Sequence, residues 1–151
     1  MDITKDYSGL CLVIAKATHK AMLDNFPLIR NIPVEHWHFF VSVLAFRLMD
    51  DIMKTSQLSF EKQEQATARS CAKLVEEYPA FLQGVAALRK YLENYDVQEI
   101  TPDELCMWLT ANLFGKNATE LSGQELEVGK FTINIIVRHL SGIQVGGAAG
   151  A

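Results

Sequence analysis

A carboxylate and two imidazoles stand within four positions in the segment EHWHFF, residues 35–40. On a helix with about 100° between successive residues, Glu35 and His38 fall on one face, whereas His36 and His38 point about 160° apart. A regular helix therefore prevents His36 and His38 from holding one ion together. Glu35 and His38 remain as candidate metal ligands, because carboxylate and imidazole groups both coordinate metals in proteins.

The Glu35-x-x-His38 spacing resembles the ligand pair that di-iron carboxylate bundles place on a single helix. Such a site needs a second pair of the same kind, and the chain contains no other Glu-x-x-His. A metal at Glu35 and His38 would therefore require a ligand from another helix or another chain. In the competing interpretation, Glu35 stabilises the positive end of a helix dipole and His38 lies at the edge of the core.

Two further acidic pairs, Glu61-x-x-Glu64 and Glu93-x-x-Asp96, are separated by 28 residues. They resemble the acidic signature of all-α nucleoside triphosphate pyrophosphohydrolases, in which two helices present carboxylates to magnesium and to the substrate phosphates. The resemblance implies Glu61, Glu64, Glu93 and Asp96 as catalytic candidates and Mg²⁺ as cofactor, since magnesium prefers oxygen ligands. The same pattern is also typical of a solvated helix face with one partly buried, hydrogen-bonded carboxylate at Glu64. No cofactor is predicted outside this enzyme hypothesis.

The composition limits the classes of partner. Lys and Arg total 14 against 18 Asp and Glu, for a net charge of -4, which opposes general attraction to nucleic acid or to anionic lipid. No segment is long and apolar enough to predict a membrane span, and the N-terminus lacks the features of a signal peptide. We therefore expect a soluble, cytoplasmic protein with three reduced cysteines and with neither nucleic-acid nor membrane partners.

Apolar residues recur at intervals of three and four, which predicts helices throughout. Pro27 ends the first helix and Pro33 opens the second, Ser59 and Ser122 are expected N-caps, and TPDE at 101–104 predicts a capping box. The expected helices span residues 4–25, 33–54, 59–78, 79–95, 101–114 and 122–142. The prediction is an all-α fold, a compact bundle of about five or six helices. It forms a single domain over residues 1–142, followed by a flexible Gly/Ala-rich tail at 143–151.

The second helix is expected at the centre of the bundle, because its apolar arc covers two sides. A single polar stripe, predicted to be solvated, contains His36, Arg47, Asp50, Asp51 and Lys54. A surface ion pair is expected between Arg47 and Asp50.

Because the second helix is apolar on two sides in so short a chain, we expect one of these sides to be buried against a partner chain. Trp37, Phe40 and Trp108 are the interface candidates. The function expected from the sequence is protein–protein association, as an adaptor or regulator and as a homodimer, rather than catalysis. A magnesium-dependent nucleotide pyrophosphohydrolase and a bundle that holds a small apolar ligand remain as the other hypotheses.

Overall fold

The computed structural model describes residues 2–93 and 102–143. Six α-helices lie within that part of the chain: α1 Ser8–Asn25, α2 Val34–Lys54, α3 Phe60–Glu77, α4 Phe81–Glu93, α5 Pro102–Phe114 and α6 Gly123–Ser141. Short 3-10 helices occupy Pro27–Asn31 and Ala118–Glu120. The predicted all-α bundle of about five or six helices is confirmed. Of the predicted tail only Ile143 falls within the described residues, and Thr101 of the expected capping box falls outside them.

Local signals in the sequence account for the starts of α3 and α6, whereas α1 begins at Ser8 rather than at the predicted residue 4 and has no side-chain cap. The Ser59 hydroxyl accepts from the Lys62 backbone N–H at 3.3 Å, and Ser122 forms a complete capping box with Glu125. Glu125 also binds Lys116 at 2.9 Å. These hydrogen bonds satisfy backbone donors that an isolated helix would leave unpaired, so the predicted caps at Ser59 and Ser122 are confirmed.

Helix α2 lies at the centre of the bundle, as its two apolar sides predict. It packs against α1, α3, α4 and α5, and Trp37, Leu44 and Met49 are completely buried. The Trp37 indole N–H donates to the Thr18 hydroxyl of α1 at 3.1 Å. Both apolar sides of α2 are thus covered by helices of the same chain.

Helices α5 and α6 approach closely at Gly129. A Cβ added at Gly129 would overlap the Thr110 hydroxyl and would stand 3.0 Å from Cys106 Sγ. The connection between these helices begins at Gly115, whose φ of 63° lies in the left-handed region, where glycine carries no Cβ penalty.

The predicted surface pairing of Arg47 is wrong in its partner. Arg47 Nε binds Asp51 Oδ2 at 3.3 Å, and Asp50 Oδ2 instead binds Lys54 at 3.0 Å. Each pair joins residues one turn apart at i and i+4, a spacing that suits long side chains on a helix surface. Among the described residues, no helix is both long and apolar enough to cross a bilayer.

Candidate functional site

A groove of about 850 Å³ runs between α3 and α4, with α2 beneath it. Val43 and Phe46 of α2 and Leu88 of α4 are buried along the groove. Phe60 and Leu82 also line it, yet 73% and 58% of their surfaces are exposed. Large apolar side chains held this far into water next to a concave surface are typical of a binding site.

One side of the groove is reinforced by a chain of polar contacts. The buried Tyr7 hydroxyl donates to Thr67 Oγ1 at 3.0 Å, and Thr67 Oγ1 donates to Asp50 Oδ1 at 3.2 Å. Burial raises the pKa of Tyr7 well above its usual value, and the nearby Asp50 carboxylate raises it further. Tyr7 therefore stays a neutral donor at physiological pH and joins α1 to α3, while Thr67 joins α3 to α2.

Opposite charges stand on the two walls of the groove. Glu64 on α3 and Arg89 on α4 both line it and are both exposed. Within residues 2–93 and 102–143 neither forms an ion pair. The cation of Arg47 and the cation of Lys54 are already matched by aspartates on their own helix. Glu64 and Arg89 are thus the groove charges that a partner could pair with.

Of the hydrolase candidates, Glu61, Glu64 and Glu93 lie within the described residues, and none of them belongs to a metal-binding cluster there. Glu61 is exposed on α3 and accepts from Gln65 at 3.4 Å, Glu93 is exposed at the end of α4, and Asp96 lies outside the described residues. Glu64 is exposed, so the expectation of a partly buried carboxylate there is wrong. Over the described ranges, no three His, Cys, Asp or Glu side chains stand together at metal-binding distance.

In the second candidate pair, Glu35 and His38, the His38 side chain lies next to His19 of helix α1. The ring of His38 faces the ring of His19 on α1, with 5.7 Å between centroids and 77° between planes. The His19 ring also packs beside the Trp37 ring, with 5.8 Å between the ring centroids. Desolvation lowers the pKa of both histidines, and His38 is lowered further by His19 and Lys16, against the opposing effect of Glu35. Both imidazoles therefore favour the neutral form more than a fully solvated histidine does.

Ser42 carries a buried hydroxyl one turn beyond His38. Its Oγ forms no hydrogen bond with any described residue, although it lies near enough to the Tyr78 phenol to oppose the rise in the pKa of Tyr78 that burial causes. We interpret this as proximity without the alignment that a hydrogen bond requires. Because Ser42 is completely buried, no substrate can reach its hydroxyl in this conformation.

The interface candidates lie mainly inside the chain. Trp37 is completely buried and Trp108 is 4% exposed, while Phe40 is partly buried against Trp108 at 5.7 Å between ring centroids. His36, expected on the solvated stripe, instead places its Nε2 2.7 Å from the backbone carbonyl oxygen of Asn112. His36 and Phe40 of α2 therefore pack on α5. These side chains are not available as the main contact surface for a partner chain.

Comparison of the chain with protein-family models, curated proteins and solved structures gave no match. The functional assignment accordingly depends on side-chain geometry. The groove residues that matter most, Phe60, Leu82 and Arg89, were not among the sequence candidates. A signal for Leu82 was present, since it follows Phe81 at the start of a helix, where successive side chains point about 100° apart. His19 was missed because nothing local links it to His38.

Proposed function

We propose that this protein acts by associating with a second copy of itself through the groove between α2, α3 and α4. The observation that carries the proposal is the exposure of Phe60 and Leu82, at 73% and 58%, beside a partly apolar groove. Burying both side chains against a partner would remove apolar surface from water, at about 25 cal/mol per Å².

The charges of the groove favour a second copy over an unrelated partner. In a twofold interface, residue i of one copy meets residue j of the other, and j meets i. Glu64 on one wall and Arg89 on the other form a set that is complementary to itself, since each could pair with its opposite in the partner. A uniformly basic or acidic groove would instead repel its own copy.

The size of this face sets the expected affinity. Helix α4 has 13 residues and is about 20 Å long, and two adjacent helices are about 20 Å across. The surface formed by α3 and α4 around the groove therefore covers a smaller area than the roughly 800 Å² per partner of a standard interface. We therefore expect a reversible dimer with a dissociation constant in the micromolar range, rather than an obligate one.

Sedimentation velocity at protein concentrations from about 1 to 200 µM tests the proposal across the expected range of affinity. The wild-type mass should rise from 16.9 kDa towards twice that value, and Leu82→Glu should stay monomeric. Val137→Glu is the matched control, because Val137 is 45% exposed on α6 and lies outside the groove. A wild type that remains monomeric throughout would refute the homodimer.

A charge exchange locates the interface within the groove. Glu64→Arg and Arg89→Glu should each weaken the dimer, and the double variant should recover much of the loss, because the two charges are then exchanged. Alkylation of Cys71 gives an independent measurement, since this partly buried thiol lines the groove. Its rate should fall as protein concentration rises. A wild-type dimer that tolerates Leu82→Glu and leaves Cys71 equally reactive would place the interface elsewhere.

A further inference from the structure

The histidines of the described residues fall into two groups: those with a ring nitrogen close to a backbone carbonyl oxygen, and those with no such partner. His36 Nε2 lies 2.7 Å from the Asn112 carbonyl oxygen, and His139 Nδ1 lies 2.9 Å from that of Ile135. His19 and His38, by contrast, form no hydrogen bond within the ranges that the structure describes. The two histidines with unoccupied nitrogens are also the two that face each other.

The separation of their rings is close to that of two imidazoles on one ion. With metal–nitrogen distances of about 2.0 Å and a tetrahedral angle, the two ring centroids would be about 5 Å apart. The observed separation is 5.7 Å, with the planes at 77°. Because both side chains are partly exposed, both rings have room to rotate until a nitrogen of each points at one ion.

Glu35 is placed to supply an oxygen ligand from the same helix as His38. It precedes His38 by three residues and is exposed, so its carboxylate can turn over the same face of α2. Its charge already acts on His38, because it partly offsets the lowering of the His38 pKa that desolvation, His19 and Lys16 cause. Lys16 lies on the other side and opposes a cation, but its exposed, flexible side chain can move into water.

We propose that His19 and His38 bind a late first-row divalent transition ion, such as Ni²⁺, Cu²⁺ or Zn²⁺. His19, His38 and Glu35 do not stand together at metal-binding distance in this structure, so Glu35 becomes the third ligand only when its exposed side chain turns towards the two imidazoles. Imidazole nitrogen suits these ions, whereas calcium and magnesium prefer oxygen. Water would fill the remaining coordination positions, since the three side chains are at least partly exposed. This site is separate from the groove, and binding there would connect α1 to α2.

The experiment is calorimetric titration of the untagged full chain with Ni²⁺ and, separately, with Zn²⁺. We expect one ion per chain, and at least a tenfold loss of affinity in His19→Gln and in His38→Gln. Glu35→Gln should cause a smaller loss. His139→Gln is the matched control, because His139 is exposed and its Nδ1 is engaged by its own helix.

Tryptophan fluorescence supplies a second readout that does not depend on affinity alone. Cu²⁺ held at His19 would lie beside the Trp37 ring, which is 5.8 Å from the His19 ring, and should quench its emission in wild type and in His139→Gln. Circular dichroism establishes that the variants remain folded. Absence of binding in the wild type, or equal affinity in His19→Gln and wild type, would overturn the site. Equal affinity in Glu35→Gln would remove Glu35 from it.

Discussion

Substitution of Gly129 by alanine should destabilise the protein, although the same change usually stabilises a helix. Gly129 lies inside α6 and is buried against α5. An added methyl would overlap Thr110 Oγ1, which donates to the Cys106 carbonyl at 2.6 Å. The substitution therefore forces either a shift of α6 or a rotation of Thr110 that breaks this hydrogen bond.

The magnitude follows from three contributions. Alanine gains about 1 kcal/mol over glycine from helix propensity, overpacking costs about 1–3 kcal/mol, and loss of the Thr110 hydrogen bond costs about 1 kcal/mol. The free energy of unfolding should thus fall by about 1–3 kcal/mol. For a chain of this length, that corresponds to a decrease in Tm of about 3–10 °C.

Urea unfolding followed by circular dichroism measures this change, and an unchanged m-value shows that the folded and unfolded states are comparable. Gly123→Ala is the matched control in the same helix, since no atom lies within 4 Å of its added Cβ. That variant should be as stable as the wild type or slightly more so.

A double-mutant cycle tests the cause of the loss. If the clash with the Thr110 hydroxyl dominates, Gly129→Ala should cost about 1 kcal/mol less in a Thr110→Ala background, because these neighbours are coupled. Additive effects of the two substitutions, or a Gly129→Ala variant as stable as Gly123→Ala, would refute this account of the α5–α6 contact.

Two other substitutions probe polar contacts that hold α1 in place. Asp6 accepts hydrogen bonds from Ser8 and forms an ion pair with Lys73. Burial alone would raise the pKa of Asp6, but these contacts outweigh it and lower the pKa from 3.8 to about 2. Asp6→Asn should lower the unfolding free energy at pH 7 by about 1–2 kcal/mol after allowance for solvent screening. Because the folded pKa is the lower one, this contribution is present above about pH 4 and is lost as pH falls through 2. Urea titrations at several pH values should therefore show the variant's deficit shrinking below pH 4; a deficit independent of pH would contradict the assignment. Thr18→Val should cost about 1–2 kcal/mol by leaving the buried Trp37 indole N–H without an acceptor, and Thr18→Ser, which restores the oxygen, should recover most of it in the same unfolding assay.

Helix positions were readable from the sequence because their determinants are local. A serine hydroxyl that accepts a backbone N–H three residues later, as at Ser59 and Ser122, acts within a single turn. Pro33 likewise forms the boundary of α2, although as its N-cap rather than its first helical residue. The central place of α2 was predictable for the same reason, since apolar side chains on two faces require cover on two sides.

The arrangement of side chains between helices was set by tertiary structure alone. Hydrophobic periodicity says that α2 must be covered but not by what, and the chain's own α1, α3, α4 and α5 provide the cover. In that packing Trp37 is buried, His36 contacts the Asn112 carbonyl oxygen of α5, and Glu64 remains exposed to solvent.

Sequence alone determined the helical class, the capped starts of α3 and α6 and the placing of Glu35 and His38 on one face of α2, because these depend on residues within a few positions of one another. Tertiary structure decided that His19 meets His38 across 19 positions and that Phe60, Leu82 and Arg89 surround one groove. Contacts between distant residues depend on the angles and offsets at which whole helices pack, and many side chains contribute to those together. For that reason both candidate sites are tertiary features of this protein.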